Sequence, residues 1–252
     1  MLTAYGLSHT GNVRKINEDC WHIDIPLGLF VVADGMGGHN AGEVASTLAV
    51  EALVRFMHKT QEGEDVTWPY GIDPGLSYPA NRLRTAILLA NRRVFRAAEG
   101  HEEYNGMGTT VVAASIEDYT LVLGSVGDSR AYSLIDGRLT QLTTDDSWVQ
   151  TLERSSPIEL GDLANHPMRH VLTKVIGARE ELDVPIIERP IRVDETLLLC
   201  SDGLHGELAE TEIAAILGTE TGTPQLAEQL IEAVLRRAAR DNVTAVVVRR
   251  ET

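Results

Sequence analysis

Two apolar runs in this chain end the same way, and that repetition constrains the fold more than any other feature. "LGLFVVADGMGGHNAGE" (Leu27 to Glu43) drives a strand-like segment into Asp34 and Gly35, and "ETLLLCSDGL" (Glu195 to Leu204) drives another into Asp202 and Gly203. Continuous apolar runs of this length bounded by turn residues read as buried strands. A carboxylate at the mouth of such a strand needs a partner, because an unpaired charge beside an apolar core costs several kcal/mol or forces neutralisation.

The same theme returns elsewhere. "GDSR" sets Asp128 in a turn between strands, "RDNVTAVVV" sets Asp241 at the mouth of the last strand, and "NED" brings Glu18 and Asp19 to the start of another. Carboxylates gathered in one place raise one another's pKa values unless a hard cation sits among them. An all-oxygen shell suits magnesium or manganese. Structural zinc is disfavoured, because no Cys/His cluster accompanies the acids.

Between these acids the pattern alternates strands and paired helices. Ala41 to Lys59 and Ala80 to Gly100 place apolar residues at three- and four-residue spacing, as amphipathic helices do. The Gly/Pro/acid stretch Gln61 to Pro79 reads as the loop between them. "TTVVAASI", "TLVLGSV", "SRAYSLI" and "RLTQLT" follow as an expected antiparallel meander, and residues 143–177 form a long irregular insert of the kind used as a flap, with a short helix at "SWVQTLER". Further strands at "VPIIERPI" and "ETLLLCSD", helices at "TEIAAIL" and "PQLAEQLIEAVLRRAAR", and a last strand "VTAVVVRR" complete an α+β pattern of stacked sheets covered by helices.

Composition narrows the function. A net charge of −15 argues against a general nucleic-acid or acidic-membrane binder. No apolar run reaches membrane-spanning length and no secretory leader is evident, so a cytoplasmic protein is expected. Cys20 and Cys200 are too few for a disulfide framework and read as buried thiols. Neither cysteine is followed by the Arg of a C-x5-R phosphatase loop, there is no G-x-x-x-x-G-K-[ST], and the glycines at 35, 37, 38 and 42 miss the dinucleotide spacing. Those glycines are expected to turn the backbone tightly beside bound water.

Taken together, "NVRKINED", "VADGMGGHNAGEVAS", "GMGTTVV", "GDSRAY", "LTTDDSWV", "HPMRHVLTKVIG", "LLLCSDGL" and "RDNVTAVVV" resemble the ordered motifs of the bacterial PP2C (PPM) metal-dependent serine/threonine phosphatases. The resemblance runs from about Ser8 to Arg249 and implies one catalytic domain over 1–252, a four-layer αββα sandwich of two antiparallel sheets flanked by helices. It implies that Asp34 bridges two Mn2+ or Mg2+ ions, with the Gly35 carbonyl on one ion and Asp202 and Asp241 on the other. Asp128 with Asp202 would support a third ion, while Glu18 and Asp19 would orient metal-bound water. In this setting Arg14 is the candidate phosphate ligand, His39 the candidate general acid, and Asn242 a support for the Asp241 loop.

The implied substrates are phosphorylated proteins of a cognate Ser/Thr kinase, attacked by a metal-bridging water without a covalent enzyme intermediate; a monomer is expected. The chain departs from the usual bacterial pattern at His9, Asp146 and His170, none of them an expected ligand. A pseudophosphatase would show a ligand Asp replaced, which this sequence does not. Phosphotyrosine and small phosphate esters stay open as alternative substrates.

Overall fold

Side chains on β3 (Leu29–Met36) divide by parity between two cores: Leu29, Val31 and Ala33 join one apolar cluster, Phe30 and Val32 another. A strand buried on both faces must be sandwiched, and the computed structural model, which describes residues 1–38, 41–61, 67–155, 168 and 171–251, shows how.

Preceding β3 are β1 (Leu2–His9) and β2 (Asp19–Asp24). After it come α1 (Ala41–Lys59), α2 (Tyr78–Gly100), β4 (Gly108–Thr109), β5 (Val111–Glu117), β6 (Thr120–Val126), β7 (Arg130–Ile135), β8 (Arg138–Gln141) and α3 (Trp148–Ser155). The chain closes with β9 (Ile186–Pro190), β10 (Thr196–Cys200), the one-turn α4 (Asp202–His205), α5 (Glu210–Leu217), α6 (Thr223–Leu235) and β11 (Val243–Arg250). One sheet runs β2-β3-β5-β6-β9, with β4 also on β3; the other runs β1-β11-β10-β7-β8. Every pairing between these strands is antiparallel.

Helices α1 and α2 bury Ala45, Ala49, Leu53, Leu83, Ile87 and Val94 against the first sheet, and α5 and α6 bury Ile213, Leu217, Leu226 and Leu230 against the second. Between the sheets lies a third cluster that includes Phe30, Val32, Leu121, Leu197, Leu199 and Val246. The expected αββα layering therefore stands. Each fully buried Val, Leu, Ile or Phe of these clusters contributes roughly 1.5–3 kcal/mol before chain entropy is set against it. Helix α2 begins where Ser77 Oγ accepts a hydrogen bond from Ala80 N at 3.2 Å and Pro79 sits in the first turn.

The structure corrects the sequence reading in several places. The expected meander is split: β5 and β6 pair in one sheet, whereas β7 and β8 pair in the other. The crossing occurs at Gly127, whose φ of +99° lets the chain leave one sheet for the next. Strand β1 was not anticipated, and it caps the second sheet by pairing with β11. Helix α6 stops at Leu235, short of the expected Arg240. Ala239 adopts a φ of +42°, and its carbonyl accepts from Asn12 N at 2.8 Å, which turns the chain to present Asp241 at the mouth of β11. Cys200 is buried and Cys20 partly so. Among the described residues no helix is long and apolar enough to cross a membrane.

Within the expected flap, residues 156–167, 169 and 170, including His170, lie outside the described residues. The ends of this segment are pinned. Thr173 N donates to Asp146 O at 2.7 Å, Trp148 N to Val171 O at 2.9 Å, and Ile176 exchanges backbone hydrogen bonds with Thr109 at 2.8 and 3.0 Å.

Candidate active site

Parity and register on β3 decide where the site lies. Asp34 continues the Phe30–Val32 series, so its carboxylate enters the space between the sheets, and it stands directly across from Asp19 on β2. Like charges directly opposite on neighbouring strands repel. The other sheet contributes Asp202, at the end of β10, and Asp241, just before β11, while Asp128 sits in the crossover between β6 and β7. A cleft of about 370 Å³ at this end of the sandwich is lined by Arg14, Glu18, Asp34, Gly35, Asp128, Asp202 and Asp241, with Met36, Gly37, Thr110, Leu172 and Val175.

The structure thus brings together on one cleft every sequence-predicted catalytic or metal-site residue except two. Asp19 lies beside it with its carboxylate buried, and His39 lies outside the described residues.

Each carboxylate is held by local backbone chemistry. Asp34 is fixed through its main chain: its N–H donates to Thr110 Oγ1 at 3.0 Å, and its carbonyl accepts from Thr110 N and Thr109 Oγ1, both at 2.8 Å. Asp19 Oδ2 accepts from Thr244 Oγ1 at 2.6 Å and Ser201 Oγ at 2.8 Å, whereas its Oδ1 is buried with no hydrogen-bond partner. Donor directions behind Asp19 follow from the partners. Asn17 Nδ2 donates to Ser8 Oγ at 2.8 Å, Ser8 Oγ lies 2.7 Å from Thr244 Oγ1, and the Thr244 proton goes to Asp19, so Ser8 is the donor to Thr244. The Glu18 carboxylate lies over Gly42 near the N-terminus of α1, where the Gly42 N–H favours its charge.

Burial pushes the Asp34 carboxyl well above the usual range, and repulsion from Asp19, Asp202, Asp128 and Asp241 pushes it further. Asp19 is raised to about 7 by burial, with Asp202 and Asp241 adding to the effect of desolvation and the two hydroxyl donors opposing it. Asp128 is also raised to about 7, by burial and then by Asp202 and Asp145. Glu18 is raised by burial. At the rim, Arg14 Nη2 donates to Asp241 Oδ2 at 2.7 Å with about half its side chain exposed, and this contact raises the Arg14 pKa.

These residues fit hard divalent cations. The donors are oxygens, a buried carboxylate oxygen of Asp19 has no protein partner, and burial with mutual repulsion raises the Asp19 and Asp34 carboxyls, a repulsion that a hard cation among them would offset. Among the described residues, no three His, Cys, Asp or Glu side chains are gathered tightly enough to close on one ion unaided.

Asn242 behaves as anticipated. Its Oδ1 accepts from Glu18 N at 2.8 Å and its Nδ2 donates to the carbonyls of Thr10 and Ile16 at 3.0 and 2.9 Å, which ties the Glu18 segment to the Asp241 loop. Gly35 has a role that the sequence reading did not assign to it, and Gly203 shares that role. Neither Gly35 nor Gly203 has a positive φ; a Cβ on Gly35 would meet Gly42 O at 2.0 Å, and one on Gly203 would meet Asn242 O at 2.0 Å. They let backbones approach.

Sequence reasoning missed Thr110, Ser201 and Thr244. The signal available for Thr244 was its place in the alternation of β11, on the same face as Val246 and Val248 of the inter-sheet core.

The fold and its acid-walled cleft define the class as the phosphatases built on two packed antiparallel sheets with helices outside. Comparison makes the family explicit: residues 6–245 match the family model Protein phosphatase 2C, and the chain belongs to that family. It is 36% identical over 250 residues to the serine/threonine phosphatase stp of Listeria monocytogenes serovar 1/2a, covering 96% of this chain and 93% of that protein. The crystal structure of the Mycobacterium tuberculosis serine/threonine phosphatase PstP/Ppp superposes with a TM-score of 0.86 at 35% identity, covering 100% of this chain and 99% of that one. The catalytic domain of PstP in complex with two manganese ions superposes with a TM-score of 0.82 at 34% identity, covering 98% and 97%.

Proposed function

We propose that this chain is a Mn2+- or Mg2+-dependent protein phosphatase that hydrolyses phosphoserine and phosphothreonine in protein substrates of a cognate Ser/Thr kinase. The observation that carries the reading is the convergence of Asp34, Asp128, Asp202 and Asp241 on one cleft with Arg14 at its rim. The names of the relatives support the choice of phosphoserine and phosphothreonine. Asp34, the Gly35 carbonyl, Asp202 and Asp241 would hold two ions, and Asp128 with Asp202 a third. When bound, such ions supply Lewis acidity toward phosphoryl oxygens and make water more acidic.

The remaining roles belong to the chain. Among the described lining residues there is no Ser, Cys or His, and the Thr110 hydroxyl is engaged by Asp34 N and Ser129 Oγ; with the Asp34, Asp128, Asp202 and Asp241 carboxylates assigned to the ions, water is the attacking group in this reading. Glu18 and Asp19 orient that water. Arg14 binds the phosphate: a guanidinium has five N–H donors in a fork that matches two phosphate oxygens, more than its contact with Asp241 uses. His39 gives a proton to the departing serine or threonine oxygen, a poor leaving group without one. The whole of 1–252 acts as one monomeric, cytoplasmic catalytic unit, with 143–177 as a flap over the cleft.

The test is phosphate release from a phosphothreonine peptide with Mn2+ or Mg2+ and with chelator, for wild type and Asp34→Asn. Metal-dependent turnover that the variant loses supports the reading; a wild type that binds metal but releases no phosphate overturns it. His39→Ala tests the acid separately. It lowers phosphopeptide turnover far more than turnover of an aryl phosphate with a good leaving group, and equal losses remove His39 from that role.

A further inference from the structure

Beside the acidic cleft is a second cavity, of about 290 Å³, with a different lining. Its walls are Met36, Phe95, Ala98, Met107 and Val175, its floor includes Gly106, Gly108 and Gly177, and Glu99 and Asn105 line it as well. Met36 and Val175 line the catalytic cleft too, so the two cavities share a wall. Met36 lies two residues beyond Asp34 on β3.

This groove is held in shape by the fold. Thr109 and Ile176 exchange backbone hydrogen bonds, which fixes the Met107–Thr109 wall against the Val175–Gly177 wall. From α2, buried Asn91 accepts from Gly177 N at 2.8 Å and donates to the carbonyls of Arg179 and Glu180 at 2.9 and 3.1 Å. Glycine lets the two walls approach: a Cβ on Gly108 would press on Ile176 O at 3.1 Å and would fill the space beside Val175 Cγ2 at 3.4 Å and Met36 Cγ at 3.8 Å. Pre-formed, mostly apolar concavities bind apolar groups, and methionine walls adapt to their shape.

We infer that this groove is a substrate subsite that takes an apolar side chain of the phosphoprotein segment flanking the phosphorylated residue. The occupant follows from continuity. A segment with its phosphate at the acidic cleft must leave across a neighbouring surface, and the Met36–Val175 wall leads directly onto an apolar one. An extended chain advances about 3.3–3.6 Å per residue, so a residue a few positions from the phosphoresidue is the one that reaches the groove. The inference rests on the phosphatase reading above and adds to it a preference for sequence around the phosphoresidue.

The experiment uses the Mn2+-loaded full chain and a set of phosphothreonine peptides in which each flanking position in turn is Leu or Ser. Alongside kcat/KM, fluorescence anisotropy measures binding of the same peptides made with a non-hydrolysable phosphonate. Wild type is expected to favour Leu over Ser at one flanking position by about tenfold, the scale on which apolar pockets discriminate. Phe95→Ala and, independently, Ala98→Glu bring that ratio to within about twofold, while para-nitrophenyl phosphate, too small to reach the groove, keeps its kcat/KM and reports that the variants are folded. Absence of a Leu preference at every position, or a preference unchanged in both variants, overturns the inference. A wild type that turns over neither substrate defeats the phosphatase reading instead, and the phosphonate peptides then decide the groove by the same Leu-to-Ser ratio in binding.

Discussion

Replacing Asp128 by Asn should make the protein more stable in chelator, and more so at alkaline than at acid pH. Asp128 is raised to about 7 in the folded state, chiefly by burial and by Asp202. An unfolded chain releases the same proton near pH 4. Between about pH 4 and 7 the folded state therefore holds a proton that the unfolded chain has lost, so stability falls as pH rises through that window and is flat above it. At about 1.4 kcal/mol per pKa unit, the cost is about 1.5 kcal/mol at pH 5 and reaches a ceiling of about 4 kcal/mol at pH 8.

Asn keeps the shape and removes the ionisation. Any fixed cost of burying the amide is the same at both pH values, so the difference between them isolates the charge. Urea unfolding in EDTA should show Asp128→Asn gaining about 2–3 kcal/mol more, relative to wild type, at pH 8 than at pH 5. An equal shift at both pH values, or a larger one at pH 5, would refute the picture of a cleft whose carboxylates oppose folding without counter-charge. Saturating Mn2+ should restore wild-type stability at pH 8 by binding only the folded state, about 2.7 kcal/mol at a hundredfold excess over Kd.

Three further outcomes follow from other contacts. Thr244→Val removes the 2.6 Å donor to Asp19 and should weaken Mn2+ binding by at least about tenfold in calorimetric titration, while Thr244→Ser stays close to wild type. Gly203→Ala forces a Cβ to within 2.0 Å of Asn242 O and should cost more than about 2 kcal/mol in denaturant unfolding. Arg82 is buried, donates to Thr60 Oγ1 at 3.0 Å and Met57 O at 2.8 Å, and pairs with Glu117; Arg82→Met should lower stability by about 3 kcal/mol and leave aryl-phosphate turnover at 25 °C intact.

Much of this was legible because the decisive residues are local. The apolar run ending in Asp34 and its echo at Asp202 locate two strand mouths, and helical spacing over residues 41–59 and 80–100 locates the layer that covers one sheet. Pairing was less legible, because it depends on contacts between distant segments. Nothing in "GSVGDSRAY" states that the chain changes sheets at Gly127, since β6 and β7 are both buried along nearly their whole length on either side of it. Register hid the opposition of Asp19 and Asp34, and the Ser201 and Thr244 hydroxyls on Asp19 come from strands that meet it only in the folded sandwich. Gly35 was legible as a needed glycine but not for the close approach of Gly42 O, and nothing in the sequence marked a role for Gly203, whose neighbour is Asn242 O.

The pairing of β1 with β11 also brings Met1 and Glu251 together. Met1 N donates to Glu251 O at 2.7 Å and Glu251 N to Met1 O at 2.8 Å, so the two ends of the ladder lie side by side. The register runs from there to His9 opposite Val243, next to Asp241, which puts the cleft at the other end of the same strands. A short peptide could bridge Met1 and Glu251, with the chain reopened at the exposed Asp136–Gly137 turn, and the order of the polypeptide would change without moving a single cleft residue. Polypeptide attached at either of these positions departs from the same corner, a strand's length from the chemistry.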